Sequence, residues 1–209
     1  MLYEQLYIDG FTPSPVFSIL MQGDNSSLEF GDYDSSNLRS PSEIAFIPLA
    51  ERSTAWKINI DGFRVGTSLF KGEGFEDDDV KTTGYSLNYM SMAVLHSGSN
   101  EMQIPKELFE VIMRMVLKGK RYFIENGDRY WGPCDRSKYE SLYLLVGDTY
   151  FEMPPSSYVT SLQKEGKCLL VFEESQDKEW HLGTPFLRNY YSVWDNKNGQ
   201  VGLGPHSTS

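Results

Sequence analysis

The chain has 209 residues, 40% apolar and 14% aromatic, with a formal net charge of −10. That length and apolar content exclude a disordered chain and allow one large all-β domain or two small ones. The acidic balance argues against nucleic acid and anionic lipid as partners, and no run of 18 apolar residues is present to span a membrane.

Met1-Leu2-Tyr3-Glu4-Gln5 has neither the basic nor the apolar region of a secretory signal. Short strand-like runs follow, broken by Gly, Pro, Asn and Asp. Val16 to Met21 is the first, Ala45 to Leu49 the next, and Trp56 to Ile60 alternates apolar and polar residues. Between the first two lies Asn25-Ser26-Ser27, a glycosylation sequon of a kind common by chance. Glu73, Glu76, Asp77, Asp78 and Asp79 form the densest acidic stretch. It reads as a solvated loop, because a calcium site wants its ligands spaced along a defined loop.

One helix is predicted. Pro105 suits its first turn, Leu108, Val111, Ile112, Met115 and Val116 recur at helical spacing, and Gly119 ends it. This stripe reads as core contact and not as a cofactor site. Leu142 to Val146, Gly147-Asp148 and Thr149 to Met153 read as a hairpin. Tyr190 to Trp194, Asp195 to Gly199 and Gln200 to Leu203 read as a second, with Asn198-Gly199 supplying the positive φ of its turn. The spacing predicts an all-β sandwich or barrel. No internal repeat or low-complexity linker breaks the chain, so it reads as one domain. Cys134 and Cys168 enclose a long segment. They form either one disulfide, worth about 3–4 kcal/mol, or two reduced buried thiols.

Two segments carry chemistry. Met92-Ala93-Val94-Leu95-His96-Ser97-Gly98-Ser99 is an apolar strand running into a small-residue turn. A strand that ends this way presents a side chain at a cleft. Trp180-His181-Leu182-Gly183-Thr184-Pro185-Phe186-Leu187-Arg188-Asn189-Tyr190-Tyr191-Ser192-Val193-Trp194-Asp195 precedes the last hairpin.

In this order the two segments resemble the second lobe of the pepsin-like aspartic peptidases. That lobe has a hydrophobic strand entering Asp-Thr-Gly-Thr and a late segment like Trp-Ile-Leu-Gly-Asp-x-Phe-Leu-Arg-x-Tyr-Tyr-x-Val-Phe-Asp. Leu182-Gly183, Phe186-Leu187-Arg188, Tyr190-Tyr191, Val193, Asp195 and Gly199-Gln200-Val201-Gly202 match it directly. Leu28-Glu29-Phe30-Gly31, Phe46-Ile47-Pro48-Leu49 and Trp56-Lys57-Ile58 are similar to further family segments. The resemblance covers nearly the whole chain and implies one lobe of the pepsin-like fold, all-β with a few short helices. Residues 1–14 would be the interlobe connection and 205–209 a mobile tail. It also implies a Cys134–Cys168 disulfide.

The family's chemistry uses two aspartates that share a proton, one from each lobe. The resemblance puts His96 at this lobe's aspartate, followed by Ser97 for Thr, then Gly98 and Ser99. Asn100 stands where the family usually has Ser, and Thr184 replaces the Asp after Leu-Gly. His181, Leu182, Gly183 and Thr184 would line the cleft. An imidazole can act as a base but cannot reproduce a dyad of two acids. Two imidazoles, His96 and His181, fall short of the three or four ligands a metal site needs, and His206 lies in the expected tail, so neither metal nor cofactor is assigned. Ser97 or Ser99 beside His96 lacks an orienting acid for nucleophilic catalysis.

The expected function is that of a non-catalytic, peptidase-derived subunit that binds. Its partner would be an N-terminal-lobe-like chain, a second copy or a larger assembly, with peptide as a further ligand. The competing expectation is an aspartic endopeptidase completed by an N-terminal lobe on another chain or on a lost part of this one. The resemblance implies a secreted or endomembrane, acidic location.

Overall fold

The computed structural model describes residues 1–51, 55–66, 68–71 and 91–207. The acidic stretch Glu73 to Asp79 therefore lies outside the described residues. Among the described residues the chain is mostly β-sheet with four short helices, α1 (Leu2–Ile8), α2 (Lys106–Val116), α3 (Pro155–Tyr158) and α4 (Thr184–Leu187). The strands are β1 (Val16–Leu20), β2 (Ser27–Phe30), β3 (Ala45–Pro48), β4 (Lys57–Ile60), β5 (Gly62–Val65) and β6 (Ser68–Lys71). Then come β7 (Ser91–Leu95), β8 (Met102–Ile104), β9 (Phe123–Glu125), β10 (Arg129–Gly132), β11 (Leu142–Val146) and β12 (Thr149–Met153). The last are β13 (Val159–Lys164), β14 (Lys167–Leu170), β15 (Phe172–Glu174), β16 (Trp180–Leu182), β17 (Tyr190–Asp195) and β18 (Gln200–Pro205). The chain divides into two compact units, one of Met1–Ile58 with Phe186–Ser209 and one of Asn59–Pro185.

The first unit holds a five-stranded antiparallel sheet in the order β2-β1-β17-β18-β3. Both its faces are apolar. On one, Leu20, Tyr191 and Val193 pack with Leu38, Tyr33 and Ile44 from the loops that follow β2. On the other, Phe17 stacks on Trp194 at 5.5 Å, and Tyr3 of α1 and Trp56 close around them. The buried Tyr191 hydroxyl donates to Ser18 Oγ and accepts the Asp34 N–H, both at 2.9 Å. A buried phenol thus keeps its hydrogen bonds, which desolvation makes obligatory.

The hairpin of β17 and β18 forms where the sequence predicts it. Its positive φ falls on Gly199 alone, at 64°. Asn198 escapes that conformation because its N–H and side-chain amide both bond the buried Asp195 carboxylate. The expected tail is tied down as far as Ser207. The Arg39 N–H donates to Pro205 O, His206 bridges to Leu38, and the Ser207 N–H donates to Asn37 O. The His206 ring also meets Gln22 Nε2 at 2.6 Å and Arg188 O at 3.2 Å.

Among the described residues the second unit holds three sheets, in the orders β13-β14-β10-β9, β12-β11-β5-β6 and β15-β8-β16-β7-β4. The all-β expectation holds, with the described strands of this unit divided among separate sheets. Strand spacing in the sequence cannot count sheets. The hairpin of β11 and β12 matches its prediction residue for residue, with Val146 opposite Thr149 across the turn. Helix α2 also forms, but its inward stripe is turned. Leu108, Phe109, Ile112, Met113 and Val116 are buried, whereas Val111 and Met115 are only half-buried. Phe109 meets Tyr130 edge-on at 5.6 Å, and this large aromatic contact fixes which side faces inward. The cysteine alternatives resolve to the disulfide. Cys134 and Cys168 are bonded, with Cα atoms 4.9 Å apart, beside the Gly132–Cys168 pair of β10 and β14.

Candidate functional site

The two chemistry-bearing segments lie side by side in the second unit. Strands β7 and β16 run parallel, with Trp180 opposite Ala93, His181 opposite Val94 and Leu182 opposite Leu95. Ala93, Leu95, Trp180 and Leu182 are buried, so alternation anchors each strand through every second residue. On its other side β16 pairs with β8, Leu182 facing Met102 and His181 facing Gln103. A central strand held on both edges gives the turn beyond β7 a rigid base.

That turn is His96 to Asn100. The His96 N–H donates to Leu182 O at 3.0 Å, which extends the β7–β16 ladder by one bond. The Ser99 N–H returns to His96 O at 3.1 Å and closes the turn. Ser99 O then accepts the Thr184 N–H at 2.8 Å. Ser99 Oγ accepts the Glu101 N–H and lies 3.2 Å from Glu101 O, so this hydroxyl braces the turn's exit. Gly183 leaves room for all of this. A Cβ there would lie 2.2 Å from Glu101 O and 2.7 Å from Ser99 O. Meanwhile His96, Ser97 and Gly98 are exposed. The His96 ring folds back over Gly98, its Nε2 3.4 Å from where a Gly98 Cβ would be.

The structure thus brings together His96, Ser99, Leu182, Gly183 and Thr184. The Thr184 hydroxyl reaches only the limit of a hydrogen bond with Asn100 Oδ1, at 3.5 Å. His181 is turned to another partner, Asp177. Its Nε2 lies 3.1 Å and 3.3 Å from the two carboxylate oxygens. A carboxylate only accepts, so Nε2 carries the hydrogen, and in the neutral ring Nδ1 is left as the acceptor. Asp177 was not singled out in the sequence. Its signal is local: Ser175 and Asp177 bound a short turn in which Asp177 Oδ1 takes the Ser175 hydroxyl and the Glu179 N–H, each at 2.8 Å. The Cys134–Cys168 bond lies in the sheet of β10 and β14, apart from this turn. Among the described residues no group of three or more His, Cys, Asp or Glu is placed to hold a metal ion.

Two carboxyls near the turn are shifted in opposite directions. Partial burial pushes Asp177 up, but the Glu179 N–H, the Ser175 hydroxyl and the His181 ring outweigh it and hold the group below the usual carboxylate range. Burial first, then the neighbouring Glu173 charge, push Glu101 up against the pull of Arg129. The signs give opposite pH dependences. Asp177 contributes stability above its unfolded pKa of about 3.9 and loses it as pH falls through the lower folded value. Glu101 favours the fold below its unfolded pKa of about 4.3, an advantage lost as pH rises through the higher folded value. Asp177→Asn should therefore flatten the acid side of a Tm-versus-pH curve, and Glu101→Gln should gain at pH 7 relative to pH 4. Asp177 is 54% exposed, so solvent screening limits its effect to less than about 1 kcal/mol. Unchanged curves for both variants would refute these assignments.

Comparison with known proteins accounts for the geometry. The family model for eukaryotic aspartyl proteases matches residues 1–206. Mouse gastricsin is 26% identical over 208 aligned residues, covering 94% of this chain and 47% of the relative. Rhizopuspepsin-1 of Rhizopus niveus is 24% identical over 208, covering 97% and 46%. Mouse cathepsin E is 25% identical over 221, covering 98% and 49%. The chain spans about half the length of the curated relatives it matches. Its mostly β fold with four short helices is consistent with a single pepsin-like lobe. From α1 through β18, then, the chain belongs to the eukaryotic aspartyl protease family.

Proposed function

We propose that this chain is a non-catalytic lobe of the aspartyl protease family that acts by binding a protein partner. The observation that carries the reading is His96. It is exposed at the end of β7, in a turn tied to Leu182 and Thr184, and it stands where the resembling motif Asp-Thr-Gly-Thr has its aspartate. The family's mechanism needs two carboxyls sharing one proton, one to draw a proton from water and one to hydrogen-bond the scissile carbonyl. An imidazole in acid is a cation with two donors. Beside a carboxylate it forms an ion pair, which is not a pair of carboxyls sharing one proton. Ser97, Asn100 and Thr184 depart from the family pattern around it, which fits a cleft released from catalysis.

The partner on this reading is a first-lobe-like chain, a second copy or a larger assembly, in a secreted or endomembrane compartment. Peptide is a further ligand of the turn region. The second reading is an endopeptidase completed by another lobe. It is supported by the relatives' names and by the intact bonding of the Ser99–Thr184 turn.

Complementation separates the two. A first lobe carrying Asp-Thr-Gly is added to this chain and to its His96→Asp variant, and peptide hydrolysis is followed in acid. The variant should exceed the natural chain by at least about 100-fold, the scale of general acid–base catalysis. Hydrolysis by the natural chain above that of the first lobe alone, at a rate equal to the variant's, would sink the non-catalytic reading. Native mass tests the binding half: a stable complex supports it, and a 23.9 kDa monomer under all conditions overturns an obligate subunit.

A further inference from the structure

We infer that Asn25 is a site of N-linked glycosylation, an inference that rests on the secretory or endomembrane placement proposed above. Asn25-Ser26-Ser27 is the only Asn-X-Ser/Thr tripeptide in the sequence. By itself such a tripeptide says little. The structure adds that it sits on the one-turn 3-10 helix Gly23–Asn25 that joins β1 to β2, with Asn25 exposed. A glycosylated asparagine must be in this kind of place, since the attached sugar is bulky and needs solvent.

The turn's bonding leaves the acceptor amide unoccupied. Ser26 does the holding: its Oγ accepts the Gln22 N–H at 3.0 Å and donates to Gly23 O at 2.8 Å. The Asn25 and Ser26 N–H groups close back on Gln22 O and Gly23 O. Among the described residues none bonds the Asn25 side chain. Ser27, the sequon's hydroxyl residue, opens β2 with only a 3.4 Å contact to Glu29 Oε1. The middle residue therefore shapes the turn, while the two that the reaction uses stay available.

An independent observation concerns compartment. The Cys134–Cys168 disulfide forms and persists in oxidising surroundings such as the secretory route, and N-glycosylation belongs to the same route. The co-reactant is a lipid-linked oligosaccharyl diphosphate. Asn25 Nδ2 attacks C1 of its first sugar, the N–C1 bond forms and the C1–O bond to phosphate breaks. The lipid diphosphate leaves, and Nδ2 gives up one proton to the transferase. Nothing is oxidised or reduced.

The glycan would also protect the sheet. Strand β2 is an edge, paired among the described residues only with β1, and its Leu28 and Phe30 are 56% and 37% exposed. An apolar edge invites strand addition from another chain. A glycan rooted at the β1–β2 turn stands beside that edge.

Peptide mapping by mass spectrometry, on protein from its native source with the disulfide checked in the same sample, tests this. The peptide containing Asn25 should carry a glycan that peptide-N-glycosidase removes. When the chain is secreted from a eukaryotic host, Asn25→Gln and Ser27→Ala should abolish the modification and Ser27→Thr should keep it. Disulfide-bonded native protein bare at Asn25 overturns the inference alone. Native protein bare at Asn25 with both thiols reduced overturns the compartment reading with it.

Discussion

Gly183→Ala is expected to destabilise the chain by about 3 kcal/mol or more, the upper end for overpacking. For a chain of this size that is a fall in Tm of about 6–12 °C. The added methyl would meet Glu101 O at 2.2 Å and Ser99 O at 2.7 Å. Both are backbone atoms, so no flexible side chain can move aside. Relief requires the turn to part from the start of α4, which breaks the Thr184 N–H bond to Ser99 O. Gly98→Ala supplies the contrast. There the nearest atom is His96 Nε2, at 3.4 Å, an ordinary contact with a side chain free to turn outward, so the cost should stay below about 1 kcal/mol. Thermal melts of the two variants check this. Equal losses would mean that the turn is not packed as described.

Loss of the disulfide is expected to be as costly. The cysteines are 34 residues apart, and opening a loop of that length returns about 3–4 kcal/mol of conformational freedom to the unfolded chain. Marginal stabilities are only about 5–15 kcal/mol in total, so the paired Cys134→Ala and Cys168→Ala variant should unfold at much lower denaturant. Its m-value should also rise, because an uncrosslinked denatured chain exposes more surface. Guanidinium unfolding of the oxidised and variant proteins reads both quantities. A loss below about 1 kcal/mol would show that the sheet of β10 and β14 closes the loop unaided.

Much of the fold was legible because it is written in local chemistry. Gly147-Asp148 between two strand-like runs announced β11 and β12, and the left-handed Gly199 ended the turn before β18. The Leu182-Gly183 segment carried the family, and Gly183's crowded position shows why a glycine belongs there. Most of what the sequence left unread was non-local. Helix α2 was placed correctly but turned, because Phe109 answers to Tyr130, a residue on β10. Residues 205–207 bond to Arg39, Gln22 and Asn37, partners far back in the chain that no local pattern announces. The family resemblance placed His181 near His96, and its ring meets Asp177, a local partner four residues earlier that no motif marked. Period and motif reveal which strands meet. Which side chains then find each other depends on rotamers that no spacing records.

The order of strands in the first unit also bears on biosynthesis. β17 and β18 occupy the middle of the sheet, between β1 and β3, yet the ribosome makes them well after β1, β2 and β3. Residues Asn59–Pro185, by contrast, form one uninterrupted stretch. At about 5–20 residues per second, β1, β2 and β3 wait on the order of ten seconds or more for their central partners. During that interval Phe17, Ile19 and Ile47 have no sheet to join, and the nascent chain offers chaperones an apolar hairpin and a lone strand. The Asn59–Pro185 unit is thus free to fold during translation, while the sheet of the other unit closes only after β18 has left the exit tunnel.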